Sequence, residues 1–267
     1  MSASFLDRID WSRPWLASVR AIGEVIAQVP DWRQELNRRA VELGLHNHRG
    51  LAIHFVPQTD LPPDTAYETF ISNTGGVPTR DNLHDFFNAL VWLTFPQIKI
   101  QLNALQAREI ERLAVEHALA PRGKLRDAAT IFDENAVLLV TSNHDLVDAL
   151  RAHEWEDVFI VHRAEFIRDC SVFLFGHALM EKLVAPYKAI TGHAWIVAMD
   201  TSTAGLALVA QCSWIDTAVA QQLARGLSTA DFSPLPVLGV PGWWMDQDND
   251  FYRDTTVFRA RRRVQES

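Results

Sequence analysis

The sequence predicts a single compact α+β domain, rich in helix and carrying a modest mixed sheet. Three observations lead there. Long stretches repeat apolar residues at three- and four-residue spacing, as amphipathic helices do. Short runs such as "LAIHFVPQ", "AVLLVTS" and "HAWIVAMD" are alternating or continuously apolar over the length of a strand. Two helical patterns come first, and later strands are separated by helices, an order that suits a layered α+β arrangement. At 267 residues, 48% hydrophobic and 22% charged, the chain can bury one large core. The domain is read as residues 1–267 with its core at about 10–259, and the connection over 57–80 as the seam if there are two lobes.

Taken in order, Pro14 opens a helix through "WLASVRAIGEVIAQV", and Asp31 caps a second, "WRQELNRRAVELG", closed by Gly44. "LAIHFVPQ" from Leu51 reads as a strand. The long connection that follows is broken by Pro62, Pro63, Gly75, Gly76 and Pro78, with a short helix around Tyr67. A connection of that length inside a compact chain is a domain seam or a functional loop. A helix spans about Asn82 to Phe95, and Pro96 starts another to about Ala118. "TIFDENAVLLVTS" reads as a turn at Asp133 to Asn135 and then a strand; Ser142 or Asn143 caps a short helix through Ala152. "EDVFIVH" reads as a strand, and "FIRDCSVFLFGHALMEKLVAPY", apolar almost all round, as one buried helix stopped before Pro186. "HAWIVAMD" and "GLALVAQ" read as strands and "WIDTAVAQQLARGLS" as a last helix. "PLPVLGVPGWW" reads as a loop whose Trp243 and Trp244 pack back on the body, with a pocket wall as the alternative.

The formal net charge of -8 argues against a nucleic-acid binder. The arginines of "FRARRR", from Phe258 to Arg263, read as a solvated end. Cys170 and Cys212 lack metal-ligand or CxxC spacing and read as core thiols of a reducing compartment. There is no basic stretch followed by an apolar one at the start, and the most apolar run falls short of the roughly 18 to 20 residues of a membrane span. The expectation is a cytoplasmic protein with no membrane or nucleic-acid partner; its oligomeric state is left open. Dinucleotide, phosphate-loop, serine-hydrolase and zinc-hydrolase motifs are absent, and no cofactor is expected.

What invites chemistry is the segment "RDNLHDFFNALVWLTFP". At 100° per residue, Asp81, His84, Asp85, Asn88, Trp92 and Phe95 share one arc, opposite Phe86, Phe87, Leu90, Val91 and Leu93. Short polar groups bordered by aromatic rings suit a ligand pocket. They also suit plain helix capping, with Asp81 or Asn82 as cap and Asp85 complementing the dipole. His177 and Glu181, four apart, would both be carried inward and need a partner, such as a basic side chain, a metal or His84. In "RGKLRDAATIFDEN", Arg122, Lys124 and Arg126 mix with Asp127, Asp133 and Glu134, and Lys99 and Asn103 lie four apart on the preceding helix. These could hold an anionic group beside a general base, or pair among themselves at the surface.

Four motifs in order, "HDFFNALVWLTFP" with Lys99 and Asn103, "RGKLRDAATIFDEN", "FGHALMEKLVAPY" and "PLPVLGVPGWW" with a final "VFR", resemble the bacterial domain-of-unknown-function family 3025 over about Asp10 to Arg259. Two positions depart from the pattern, Ala136 where a Gly follows "FDEN" and Ala260 where a Pro follows "VFR"; the first bears on turn geometry alone. The resemblance implies one domain and supplies no activity.

The reading that follows is an acid/base or hydrolytic enzyme acting on a small molecule, with His84, Asp85, His177 and Glu181 as catalytic candidates. Asn88, Trp92, Lys99, Asn103, Arg126, Asp127, Asp133 and Glu134 are the substrate-binding candidates. No tightly bound transition metal is expected, because two histidines and no Cys fit the site. A metal held by His84, Asp85, His177 and Glu181 is a weaker variant. The rival is a non-catalytic binding or scaffold protein whose polar motifs form a buried network.

Overall fold

A computed structural model describes residues 4–115, 123–199 and 205–261, and over them helices surround a small sheet. The 3-10 turn Pro14–Leu16 leads into α1 (Ala17–Ala27). The Asp31 side chain accepts from Gln34 N at 2.9 Å to start α2 (Trp32–Glu42). Gly44, at φ +60°, ends it, with Leu45 N bonded back to the Ala40 carbonyl at 3.0 Å. The segment after α2 contains β1 (His54–Pro57), α3 (Tyr67–Thr74) and β2 (Gly76–Thr79). β2 was not expected from the sequence. It pairs parallel with β1 in a two-stranded sheet, where Pro78 has an open edge for its missing donor.

Next come α4 (Leu83–Thr94), the single residue Phe95, and α5 (Pro96–Val115). The expected extension of α5 to Ala118 lies outside the described residues. α6 (Lys124–Asn135) runs straight into β3 (Ala136–Thr141). The turn expected at Asp133 to Asn135 is therefore the last turn of a helix. Ala136 sits at φ -71°, a conformation that needs no glycine. α7 (His144–Ala152) is capped by the Asn143 side chain. The rest is α8 (Arg163–Asp169), β4 (Cys170–Leu174), α9 (His177–Lys182), β5 (Thr191–Ala198), α10 (Leu208–Arg225), β6 (Ser233–Pro236) and α11 (Asn249–Tyr252).

Three expectations are corrected. The apolar segment around Cys170 is not one helix but α8, β4 and α9, because a short apolar run bounded by Gly176 serves a strand as readily as a buried helix. The presumed strand "EDVFIVH" is a π-helical turn, Asp157–Val161, and the presumed strand "GLALVAQ" enters α10; the packing of these segments outweighs their β propensity.

The four-stranded sheet has the order β4-β3-β5-β6. β3 runs antiparallel to β4 and parallel to β5, with Leu138 opposite Phe173 on one side and Trp195 on the other. All six residues of β3 are buried, which is why its sequence is continuously apolar instead of alternating. α4 packs on α9 and α5, and α5 also touches α3, α6 and α10. The cap of α5 comes from another helix: the Asp216 carboxylate of α10 accepts from Gln97 N at 3.0 Å and Ile98 N at 2.9 Å. Trp243, 6.2 Å from Trp15, and Trp244 pack against the core. Both cysteines are free thiols, pushed up to about 11 by burial. Among the described residues no helix is long and apolar enough to cross a membrane. Of the basic tail, Arg262 and Arg263 lie outside the described residues.

Candidate functional site

Local geometry aims five pieces of chain at one recess. The Asn82 side chain accepts from Asp85 N at 2.8 Å, so α4 starts at Leu83 and carries His84, Asp85 and Asn88 on one arc. The corner at Phe95 turns α5 back so that Lys99, Asn103 and Gln106 follow one another at helical spacing on one side. The end of α6 supplies Asp133 and Glu134, α9 supplies His177 and Glu181, and the start of α3 supplies Tyr67 and Glu68. Gly176 makes the α6–α9 junction possible. A Cβ there would sit 2.5 Å from the Glu134 carbonyl oxygen and 2.6 Å from Asn135 backbone atoms, and the Gly176 N–H donates to the Ala136 carbonyl at 2.9 Å. The resulting recess has a volume of about 290 Å³ and is lined by His84, Asp85, Asn88, Arg126, Asp133, Glu134 and His177 among others.

At its centre the two imidazoles meet edge to face, Nε2 to Nε2 at 3.1 Å. On the far side of His84, Nδ1 lies 3.0 Å from Glu181 Oε2. A carboxylate only accepts, so this nitrogen carries a hydrogen. The Nε2 contact needs one hydrogen and has room for one. The rings therefore share a proton, and both cannot be protonated at Nε2. His177 Nδ1 is buried without a hydrogen-bond partner, 3.9 Å from Asp133 Oδ2. Burial, with help from the Lys99 and His84 charges, pushes the His177 ring down to about 4, despite the opposing pull of Asp133. The chain of groups runs from Glu181 (42% exposed) through His84 (31%) to His177 (6%), from solvent to interior. Glu181 is thus not buried as expected: α9 is short, and its last turn reaches the surface.

Behind His177 lies a buried ion pair. Lys99 Nζ donates to Asp133 Oδ1 at 2.6 Å and to Asn88 Oδ1 at 2.8 Å, and stands 5.4 Å from the Trp92 ring centroid. Burial alone would raise the Asp133 carboxyl, but Lys99, His177 and His84 together hold it below the ordinary carboxylate value. Asn88 Nδ2 donates in turn to Tyr67 Oη at 3.0 Å. Asn103 donates to the Glu68 carbonyl at 2.9 Å and to its Oε2 at 2.7 Å; burial raises the Glu68 carboxyl and pushes the Tyr67 phenol well above its usual range.

Asp85 stands apart from this chain. It accepts from the Arg80 backbone N at 2.7 Å and from its Nε and Nη2 at 2.9 and 3.1 Å. Asp85 therefore clamps the entry to α4, and the four-residue set His84, Asp85, His177 and Glu181 is not assembled around one point. Among the described residues no group of three or more His, Cys, Asp or Glu is arranged to hold a metal ion.

Of the other sequence candidates, Trp92 lies beneath Lys99, Lys99 and Asn103 reach the recess through their partners, and Asp127 is exposed on the first turn of α6, outside the lining. Arg122 is outside the described residues. Sequence reasoning missed Tyr67, Glu68, Arg80 and Gln106. The long connection before α4 was a signal for the first three, and Gln106 continues the Lys99–Asn103 stripe of α5. A larger cavity of about 560 Å³, lined by His153, Trp155, Pro234, Pro236, Arg259 and Arg261, gathers no comparable set of paired ionisable groups.

In comparisons with known proteins, the chain matches one family model over residues 53–262, described as a protein of unknown function, DUF3025. No curated protein and no solved structure matches it.

Proposed function

The chain belongs to the DUF3025 family, whose matched span contains every group of the recess, and from that recess we propose that it is an enzyme of general acid/base or hydrolytic type acting on a small molecule. The observation that carries the reading is the 3.1 Å Nε2–Nε2 contact of His84 and His177, bounded by a solvent-reaching carboxylate on one side and a buried ion pair on the other. His84, the more open ring, exchanges the proton with a ligand group that takes the place of Glu181 at Nδ1. His177, held neutral by burial, returns or receives it through Nε2, and Glu181 connects His84 to water. Lys99 fixes Asp133 beside His177, so that a proton arriving on that ring meets negative charge.

The second reading, a binding or scaffold protein, is favoured by one observation: Lys99 on Asp133 is a closed pair inside the molecule, and the buried Asp85 is already taken up by Arg80. A thermal-shift screen of a metabolite library, followed by turnover assays of each stabilising compound, separates the two. For the enzyme, at least one compound stabilises the parent and is turned over, and His84→Gln lowers its kcat by about 10²-fold or more. If nothing stabilises the parent and the Ala variants of His84, Asp85, His177 and Glu181 all unfold easily, the scaffold reading stands.

A further inference from the structure

Pairing off the charges of the recess leaves a remainder. Arg80 meets Asp85, Lys99 meets Asp133 and His84 meets Glu181. Arg126 lines the same recess, and among the described residues its guanidinium has no hydrogen-bond acceptor and no ion-pair partner; its Nε is buried and unsatisfied. Glu68 and Glu109 are close enough to feel its charge, yet neither bonds to it. Arginine presents five donors in a planar fork; here the Nε–H is out of water without an acceptor, which is costly, while the half-buried side chain leaves the rest of the fork open to a ligand.

A second, independent donor faces the same space from the neighbouring helix. Gln106 on α5 is only 5% exposed, lines the recess, and makes no hydrogen bond among the described residues. α5 and α6 pack together, so Arg126 and Gln106 belong to adjoining walls. Taking the recess as a ligand site, we infer that Arg126 and Gln106 form the binding point for an oxyanion of its small-molecule ligand, a carboxylate or a phosphate. The fork of arginine matches two oxygens of either group, and an amide adds one more donor. Glu134, about two turns further along α6 and on the same lining, repels an anion at that end, which favours the Arg126 end for the charged group of the ligand. The volume of about 290 Å³ restricts the ligand to a small metabolite.

The test is isothermal titration calorimetry at constant ionic strength, with inorganic phosphate in one series and succinate in another. The proteins are the parent, Arg126→Gln, Gln106→Leu, and Arg253→Gln as a surface control outside the recess. Saturable binding of one of the two anions is expected for the parent and for Arg253→Gln, and which anion binds identifies the source of the oxyanion. Affinity falls tenfold or more in Arg126→Gln and by a smaller factor in Gln106→Leu. Melting curves of both recess variants establish that they are folded, and Gln106→Leu serves alone if Arg126→Gln is not. The inference is overturned if neither anion binds the parent saturably, or if the folded recess variants bind as tightly as the parent. Turnover of an uncharged compound with loss in His84→Gln would leave the acid/base reading intact while removing the oxyanion site. Arg126-dependent anion binding without any turnover would do the reverse.

Discussion

The Nε2 atoms of His84 and His177 face each other at 3.1 Å although the residues lie 93 positions apart in the chain. The contact ties the acid–base state of one ring to the other, and burial makes the His177 end sensitive to pH. In the unfolded chain this ring takes up a proton near 6.5, and in the folded protein only at about 4. Between those values the unfolded state binds more protons, so stability falls as the pH is lowered through the window, by roughly 3 kcal/mol when fully developed. Urea titrations of the parent at pH 7, 5.5 and 4.5 should show that loss, and His177→Asn should lack most of it. A parent and variant with the same pH dependence would contradict the buried neutral ring.

Lys99 and Asp133 are expected to behave as a coupled pair. Lys99→Met leaves the buried Asp133 carboxylate without its ion-pair partner, at a cost of about 3 to 5 kcal/mol. Removing both charges in Lys99→Met/Asp133→Leu should cost clearly less than the sum of the two single changes. Additivity in denaturant titrations of this cycle would show that the 2.6 Å contact carries no coupling.

His84 and Asp85 are neighbours with unlike roles, and their alanine variants should separate them. Asp85→Ala strands the Arg80 backbone N–H and should cost about 1 to 3 kcal/mol. His84→Ala removes a ring that is 31% exposed and should cost less than about 1 kcal/mol while abolishing activity toward any ligand found by screening. Equal destabilisation in thermal melts would assign both to the fold.

Asp216 caps α5 from α10, so Asp216→Ala should lower stability by about 1 to 2 kcal/mol. Burial raises its carboxyl from 3.8 to about 6, so the folded protein binds more protons than the unfolded chain between those values, and the parent loses stability as the pH rises through them. Asp216→Asn does not titrate and should draw closer to the parent between pH 4 and pH 7. A gap that widens over that range in urea titrations would refute the assignment.

The sequence disclosed the fold where local chemistry decides it. Asp31 and Gly44 bracket α2, Asn82 starts α4 and Asn143 caps α7, each by a bond made within a few residues, and Pro96 starts α5 through its fixed φ. It misled where packing decides. The apolar run of β4 reads equally as a buried helix, and β2 hides because Gly76 and Pro78 count against a strand and its partner β1 lies on the other side of α3. The candidate site was legible in residue type and illegible in pairing. His84, Asn88, Lys99, Asp133 and His177 stand out as misplaced polarity, but nothing local says that Asp85 turns to Arg80 or that Glu181 reaches solvent.

The near-contact of Gly176 with Glu134 and Asn135 also bears on when the site comes into being during folding. Lys99 and Asp133 lie on α5 and α6, which pack together, so their ion pair does not require the β4–β3 pairing. His177 reaches them only after β4 has zipped onto β3 and drawn Gly176 against the end of α6. Until that non-local pairing occurs, Asp133 has its lysine but no imidazole beside it, and His84 has no ring to share a proton with. The relay is thus completed by the pairing of β4 with β3 and not by the α5–α6 contact alone.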